Sequence, residues 1–280
     1  MYEPIYQPNL ANFPIDLGQT RFGVLHYKGC KQTPEDDADP LHCHAYMEIY
    51  FHVMGAASFL VNGQIYPLRS GDAVVSRSND LHMCVYEAPG LQEHYCLWIG
   101  AEADAAVTEF TRQEKWQPLY RLDPQTWERL RGKLDALEDS RISELERTSL
   151  FLQILVLLEK HPGTDHIPDR MPQEFRQILA YIDEQYPWIQ RIGELARIHF
   201  ISEATLNRWF QKYLHISPKN YLDSRKLSHA AKMLSQGAAV TEACNGAGFN
   251  DCSHFIGLFR KKFGQTPLQY QRSFRQGERQ

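Results

Sequence analysis

A duplication constrains this 280-residue chain more than any other feature. At an offset of 49 residues, Phe210, Lys212, Pro218 and Tyr221 return as Phe259, Lys261, Pro267 and Tyr270, with Ser217 answered by Thr266. Each copy reads as a short helix, a tight turn, a second helix with a basic end, and a further helix opened by a Ser-Pro or Thr-Pro pair. Such a pair is a start signal because the hydroxyl caps an orphan backbone N–H, while proline lacks an N–H where none is needed. Two helix-turn-helix units are therefore expected in the last third of the chain. In such a unit the second helix lies in the DNA major groove, so its inner face must be apolar and its outer face must carry hydrogen-bonding side chains.

Both second helices meet that requirement. In residues 202–214, Leu206, Trp209, Phe210 and Leu214 form the packing stripe, leaving Ala204, Thr205, Asn207, Arg208, Gln211 and Lys212 as the expected DNA face. In residues 250–264, Phe255, Leu258, Phe259 and Phe263 pack, leaving Ser253, His254, Ile256, Gly257, Arg260, Lys261 and Lys262. Asn and Arg suit base edges, and clustered Lys and Arg suit phosphates. Charge agrees. Residues 169–280 carry 16 Lys/Arg against 10 Asp/Glu, whereas 1–168 carry 14 against 24, so a net charge of -4 conceals +6 beside -10. One half suits a polyanion and the other repels it.

The rest of the chain divides cleanly. From Phe22 to about Gly100, short strands alternate with turn signals such as Asn62-Gly63, Ser70-Gly71-Asp72 and Ser78-Asn79-Asp80, which predicts a sandwich or barrel. Helical periodicity follows over 124–138 and 141–160, and the Pro-rich, polar stretch 161–172 reads as a linker. The expected architecture is an all-β barrel with two flanking helices over 1–165, then an all-α domain over 166–280. No stretch reaches the ~20 apolar residues that cross a bilayer. The start, MYEPIYQPNL, lacks a basic n-region and so reads as neither signal peptide nor anchor. Six cysteines show no CxxC pair and no disulfide framework, which fits reduced, mostly buried thiols. A cytoplasmic chain is expected, with no membrane partner.

The helical part resembles the AraC family of transcription regulators over about residues 173–274. The resemblance rests on Leu195-Ala196 before Ser202, on Arg225, Ala230 and Leu234 of a linking helix, on Gly248-Phe249-Asn250-Asp251, and on Phe259 to Gly264 with Thr266-Pro267 and Tyr270. It implies two units set about one DNA turn apart by the helix 218–235, entering successive major grooves. The partners it implies are double-stranded DNA, a small-molecule effector, a second copy through the N-terminal domain, and RNA polymerase if the regulator is an activator. Three positions depart from the family. His215 stands where the first unit usually has Gly, Gln271 where Arg is usual, and Gly257 where Arg is frequent.

Over 42–54, strand periodicity puts His42, His44, Tyr46, Glu48, Tyr50 and His52 on one face and Met47, Ile49, Phe51 and Val53 on the other. The spacing His42-x-His44-x3-Glu48, followed by Gly55, Gly63, Pro67, Gly71-Asp72 and His82, resembles the cupin barrel. In cupins the positions matching His42, His44, Glu48 and His82 bind a divalent metal, and three imidazoles with one carboxylate suit Zn, Ni, Fe or Mn. Three readings stay open at this point: a hydrogen-bonded pocket for an organic effector without metal, a metal that binds or senses the effector, and a metalloenzyme. An attached DNA-binding domain favours occupancy, not turnover, as the output. No cofactor is therefore certain, and no catalytic residue is assigned. The expected effector site is His42, His44, Tyr46, Glu48, Tyr50, His82 and Trp98, a lining that could hold a carbohydrate by hydrogen bonds and ring packing.

Overall fold

A computed structural model of the chain describes residues 16–17, 20–31, 41–100, 107, 109–111, 117–161 and 171–277. Most of the expected linker, 162–170, lies outside them. Among the described residues, nine strands form two antiparallel sheets. The larger has the order β1 (Asp16–Leu17), β2 (Thr20–Lys31), β8 (Gly90–Ile99), β3 (Met47–Met54), β6 (Asp72–Ser76), β9 (Leu119–Arg121). The smaller is β5 (Gln64–Pro67), β4 (Ala57–Val61), β7 (His82–Tyr86). A bridge between His42 and His82 carries the segment before β3 onto the edge of β7.

Side-chain alternation along β3 sorts two cores, as its sequence predicts. Ile49, Phe51 and Val53 join Tyr95 and Leu97 of β8 beneath α1 (Pro124–Leu137) and α2 (Glu144–Glu159), against Trp127, Leu130, Leu134, Phe151, Ile154 and Leu158. On the opposite face, Tyr46 and Tyr50 share the space between the sheets with Phe59, Tyr66, Cys84, Tyr86 and Trp98. Helix α1 starts where Asp123 accepts from the N–H groups of Gln125 and Thr126, and α2 where Ser143 accepts from Glu146.

Seven helices follow among the described residues: α3 (Gln173–Gln185), α4 (Ile192–Ile198), α5 (Glu203–Leu214), α6 (Pro218–Ser235), α7 (Val240–Gly246), α8 (Cys252–Phe263) and α9 (Pro267–Gly277). The two flanking helices of the sheet domain and the two helix-turn-helix units, α4–α5 and α7–α8, stand as the sequence predicts. Ser202 and Ser217 cap α5 and α6, and Asp251 caps α8. Helices α5 and α8 end on residues 49 apart, His215 and Gly264, both left-handed at φ 54° and 70°. Glycine takes that conformation freely, whereas the Cβ of His215 costs about 1–2 kcal/mol there.

The helical part does not hang free of the barrel. Leu60, Met83 and Val85, on the outer face of the smaller sheet, form one core with Phe175, Ile178, Leu179 and Ile182 of α3, which continues into Leu206, Phe210 and Leu214 of α5. Among the described residues no helix is long and apolar enough to cross a membrane.

Candidate functional site

Helix α5 buries Leu206, Phe210 and Leu214 completely and leaves Ala204, Asn207, Arg208, Gln211 and Lys212 exposed, with Thr205 and Trp209 half-buried. Two of the outward groups are already oriented. Thr205 Oγ1 lies 2.9 Å from the Ser202 hydroxyl, and Asn207 Nδ2 donates to the Glu203 carbonyl at 2.9 Å. Helix α8 buries Phe255, Phe259 and Phe263 and exposes Ser253, His254, Ile256, Gly257, Arg260 and Lys261.

Lys262 departs from that set. It is half-buried, and its ammonium donates to the Leu41 carbonyl of the barrel and, at 3.1 Å, to Ser224 Oγ of α6. The cause is helical geometry. Each residue advances about 100°, so Lys262 follows Phe259 by one turn and borders the packing stripe, while Arg260 and Lys261 point away from it.

Two cross-ties link the units. Lys226, a buried lysine of α6, donates at 2.9 Å to the Ile189 carbonyl before the first unit and at 2.9 Å to the Gly248 carbonyl in the turn of the second. Gln190 Nε2 also reaches the Gly248 carbonyl at 3.3 Å, and Asn250 Nδ2 donates to Gln190 Oε1 at 3.0 Å. A fully desolvated ammonium is costly, which explains why it meets two acceptors at once, and burial pulls the Lys226 pKa below its ordinary value. Gln271, which follows Tyr270, donates at 2.6 Å to the Ala238 carbonyl ahead of α7. None of these ties was assigned from sequence. Lys226 left a signal, since Leu222, Lys226 and Ala230 fall on one line at i, i+4, i+8.

Between the sheets, ligand atoms of His42, His44, Glu48 and His82 all lie within 4.8 Å of one another. The backbone settles two tautomers. His44 Nδ1 is 2.9 Å from the Tyr46 carbonyl, and His82 Nδ1 is 2.8 Å from the Asp80 carbonyl. A carbonyl only accepts, so both Nδ1 atoms carry hydrogen, and in the neutral rings both Nε2 lone pairs face the cluster. His82 Nε2 is buried without a hydrogen-bond partner, 3.9 Å from Glu48 Oε2. His44 Nε2 is 3.2 Å from the same oxygen, which also accepts from Trp98 Nε1 at 2.6 Å.

Burial lowers the His44 pKa, which opposes an imidazolium there. Burial alone would raise Glu48, yet hydrogen bonds and positive charge from His44 and His82 outweigh it and hold its carboxyl well below the ordinary range, and Glu48 in turn outweighs burial to raise the His82 pKa. With both rings neutral, a carboxylate beside convergent nitrogen lone pairs is instead an arrangement that a divalent cation completes. Tyr46 stacks on His44 at 3.6 Å between ring centroids, and Trp98 reaches the cluster through Glu48. Tyr50 lies deeper, its hydroxyl accepting from Cys84 Sγ at 3.6 Å.

Comparison with known proteins bears on both regions. The AraC-like ligand-binding domain matches residues 30–155, and a helix-turn-helix domain matches residues 195–273. The HTH-type transcriptional activator RhaS of Pectobacterium atrosepticum is 28% identical over 248 residues, 84% of this chain and 88% of that protein. RhaS of Escherichia coli is 25% identical over 254 residues, 85% and 88% of the two chains. Among solved structures, apo ToxT K231A from Vibrio cholerae covers 90% of this chain and 96% of its own at 11% identity, with a TM-score of 0.37.

Proposed function

The chain belongs to the AraC family of transcriptional regulators, binding DNA sequence-specifically under the control of a small molecule, and from that premise we propose which residues read the DNA, which hold the effector, and how copies assemble. The observation that carries the DNA reading is the pair of equivalent helices with exposed polar faces, tied into one body through Lys226. In the first unit Thr205, Asn207 and Arg208 reach base edges, with Arg suited to guanine and Asn to adenine. The second unit offers Ser253, His254, Ile256 and Gly257, which leaves little for hydrogen-bond readout, while Arg260 and Lys261 hold phosphates.

One half of the operator is therefore strict and the other tolerant. A mismatch in the strict half is expected to cost ~1–3 kcal/mol and one in the tolerant half much less, measured base by base with the full chain. Overall affinity should fall with salt by about 0.9 log per log for each phosphate-bound cation. Equal penalties in both halves would remove the assignment of base reading to Arg208 and Asn207.

For the barrel, the ligand reading is a divalent transition metal (Zn, Ni, Fe or Mn) on His42, His44, Glu48 and His82, beside an organic effector, a carbohydrate by the hydrogen-bonding and aromatic lining of Tyr46, Tyr50 and Trp98. Protein purified without chelator should carry near-stoichiometric metal by elemental analysis, and His44→Ala should bring it to background. A metal-free chain that still gains melting temperature from a sugar would establish instead that the histidines bind the effector directly.

Assembly is read from α2. Phe151, Ile154, Leu155 and Leu158 are absorbed by the barrel, but Leu145, Leu152 and Val156 stay 80%, 40% and 43% exposed along the groove between α1 and α2. A second copy covers this ridge in the proposed homodimer, and RNA polymerase is the further partner of an activator. Sedimentation of the full chain as a monomer at micromolar concentration would refute the dimer.

A further inference from the structure

The bridge between segments 41–44 and 79–82 has two occupied faces. Its inner face carries three of the four cluster residues, His42, His44 and His82. Its outer face holds the second helix-turn-helix unit. Cys43, alternating with His42 and His44, is buried among Leu227, Ala230 and Ala231 of α6 and Phe255, Phe259 and Tyr270. Three donors from three helices end on this face: Lys262 of α8 on the Leu41 carbonyl, Ser228 of α6 on the Asn79 carbonyl at 2.7 Å, and Tyr270 of α9 on Asn79 Oδ1 at 3.2 Å. Asn79 in turn donates its N–H to the His44 carbonyl at 2.7 Å. A shift of His44 therefore reaches the docking point through one hydrogen bond.

Lys262 cannot serve both sides. On the barrel it is withheld from the basic face that Arg260 and Lys261 form. We infer that this bridge is a latch, holding Lys262 off the DNA while the cluster is empty and releasing it when the cluster is filled. The direction follows from geometry. The ligand atoms spread to 4.8 Å, whereas atoms bound to one transition-metal ion at about 2.0–2.2 Å can be no more than about 4.4 Å apart. The His44 and His82 nitrogens already lie 3.2 and 3.9 Å from Glu48, so filling the cluster contracts the wider spacings toward its centre, on the inner side of the segment and away from α6 and α8, because Cys43 faces the helices from the opposite side. The buried acceptors on Leu41 and Asn79 then lose their donors, and the ammonium becomes available to a phosphate. By linkage, DNA that engages Lys262 also favours the filled cluster.

The coupling to the cluster rests on the ligand reading above, but the latch can be tested without it. In the full chain, Ser228→Ala with Tyr270→Phe removes two donors while keeping the buried ring and every DNA-facing side chain. Asn79→Gly is the companion variant from the barrel side, and it retains the φ of 65° that Asn79 adopts. Freed of metal with a chelator, both variants are expected to bind operator duplex about tenfold more tightly than the parent chain. Their log K against log salt should steepen by about 0.9, the signature of one added phosphate contact. Adding Lys262→Met to the double variant should return the slope to the parent value. Zn²⁺ alone should tighten and steepen binding by the parent chain and leave the unlatched variants unchanged.

Folded variants with the parent affinity and slope would overturn the latch. Zn²⁺ retained by the parent chain without any change of slope would overturn the coupling while sparing the cluster as a metal site. A parent chain that retains no Zn²⁺ would overturn metal control of the latch, and the two variants would still decide whether the latch exists.

Discussion

Phe210→Ala is expected to destabilise the chain by about 3–5 kcal/mol, a large share of the 5–15 kcal/mol that holds a typical domain folded. Phe210 is fully buried, edge-on to Phe175 at 5.1 Å and to Tyr221 at 5.5 Å between ring centroids. Those two rings belong to α3 and α6, so the cavity opens where three helices meet and cannot collapse without moving one of them. The same core includes Leu60, Met83 and Val85 of the smaller sheet, so the loss should extend to the seating of α3 on the barrel. Urea unfolding followed by far-ultraviolet dichroism and by tryptophan fluorescence should show both transitions shifted to lower denaturant. A shift confined to one probe would show that the two halves do not share this core, and a loss under about 1 kcal/mol would show that the site relaxes freely.

Gly248→Ala is the second large effect. Gly248 sits in the turn of the second unit at φ 80°, and a Cβ built there overlaps the carbonyl oxygen of Pro187, a backbone atom that cannot rotate aside. The left-handed conformation costs an alanine about 1–2 kcal/mol, and relieving the overlap adds a strain term of about 1–3 kcal/mol. The available relief is to lift the turn off Pro187, which breaks the hydrogen bonds from Lys226 and Gln190 to the Gly248 carbonyl. Operator affinity should then fall more than tenfold while metal content and effector response of the barrel remain as in the parent chain. Unchanged affinity in a destabilised but folded variant would show that the units need no cross-tie to bind together.

Much of this was legible in the sequence because the signals are local. The Ser217-Pro218 and Thr266-Pro267 pairs mark helix starts, and the alternation from Met47 to Val53 separates the cluster face from the face beneath α1 and α2. The cluster itself was legible as a spacing. Its tautomers were not, because they depend on the Tyr46 and Asp80 carbonyls, which folding alone brings to the rings. The latch was equally invisible. Residue type does not distinguish three consecutive cations, Arg260, Lys261 and Lys262, since their 100° steps decide which one leaves the DNA face only once the barrel covers that side. Leu60, Met83 and Val85 lie on the outer face of the smaller sheet, and nothing in their strands says that α3 will cover them.

The cross-tied pair of units also determines when the ordering entropy of DNA binding is spent. Two units on a loose tether would each have to be oriented on the duplex, and capture of the second would depend on its effective concentration near the first. Lys226, Gln190 and Asn250 settle that orientation at folding, so engagement of the first helix presents the second already aimed. A body of fixed span tolerates weak letters better than it tolerates a wrong distance. One base pair inserted between half-sites displaces the second by about 3.4 Å and rotates it by about one-tenth of a turn, and the duplex, not the protein, must twist to absorb it. For an operator evolving under this regulator, spacing is the hard constraint, and the sequence of the tolerant half is free to drift.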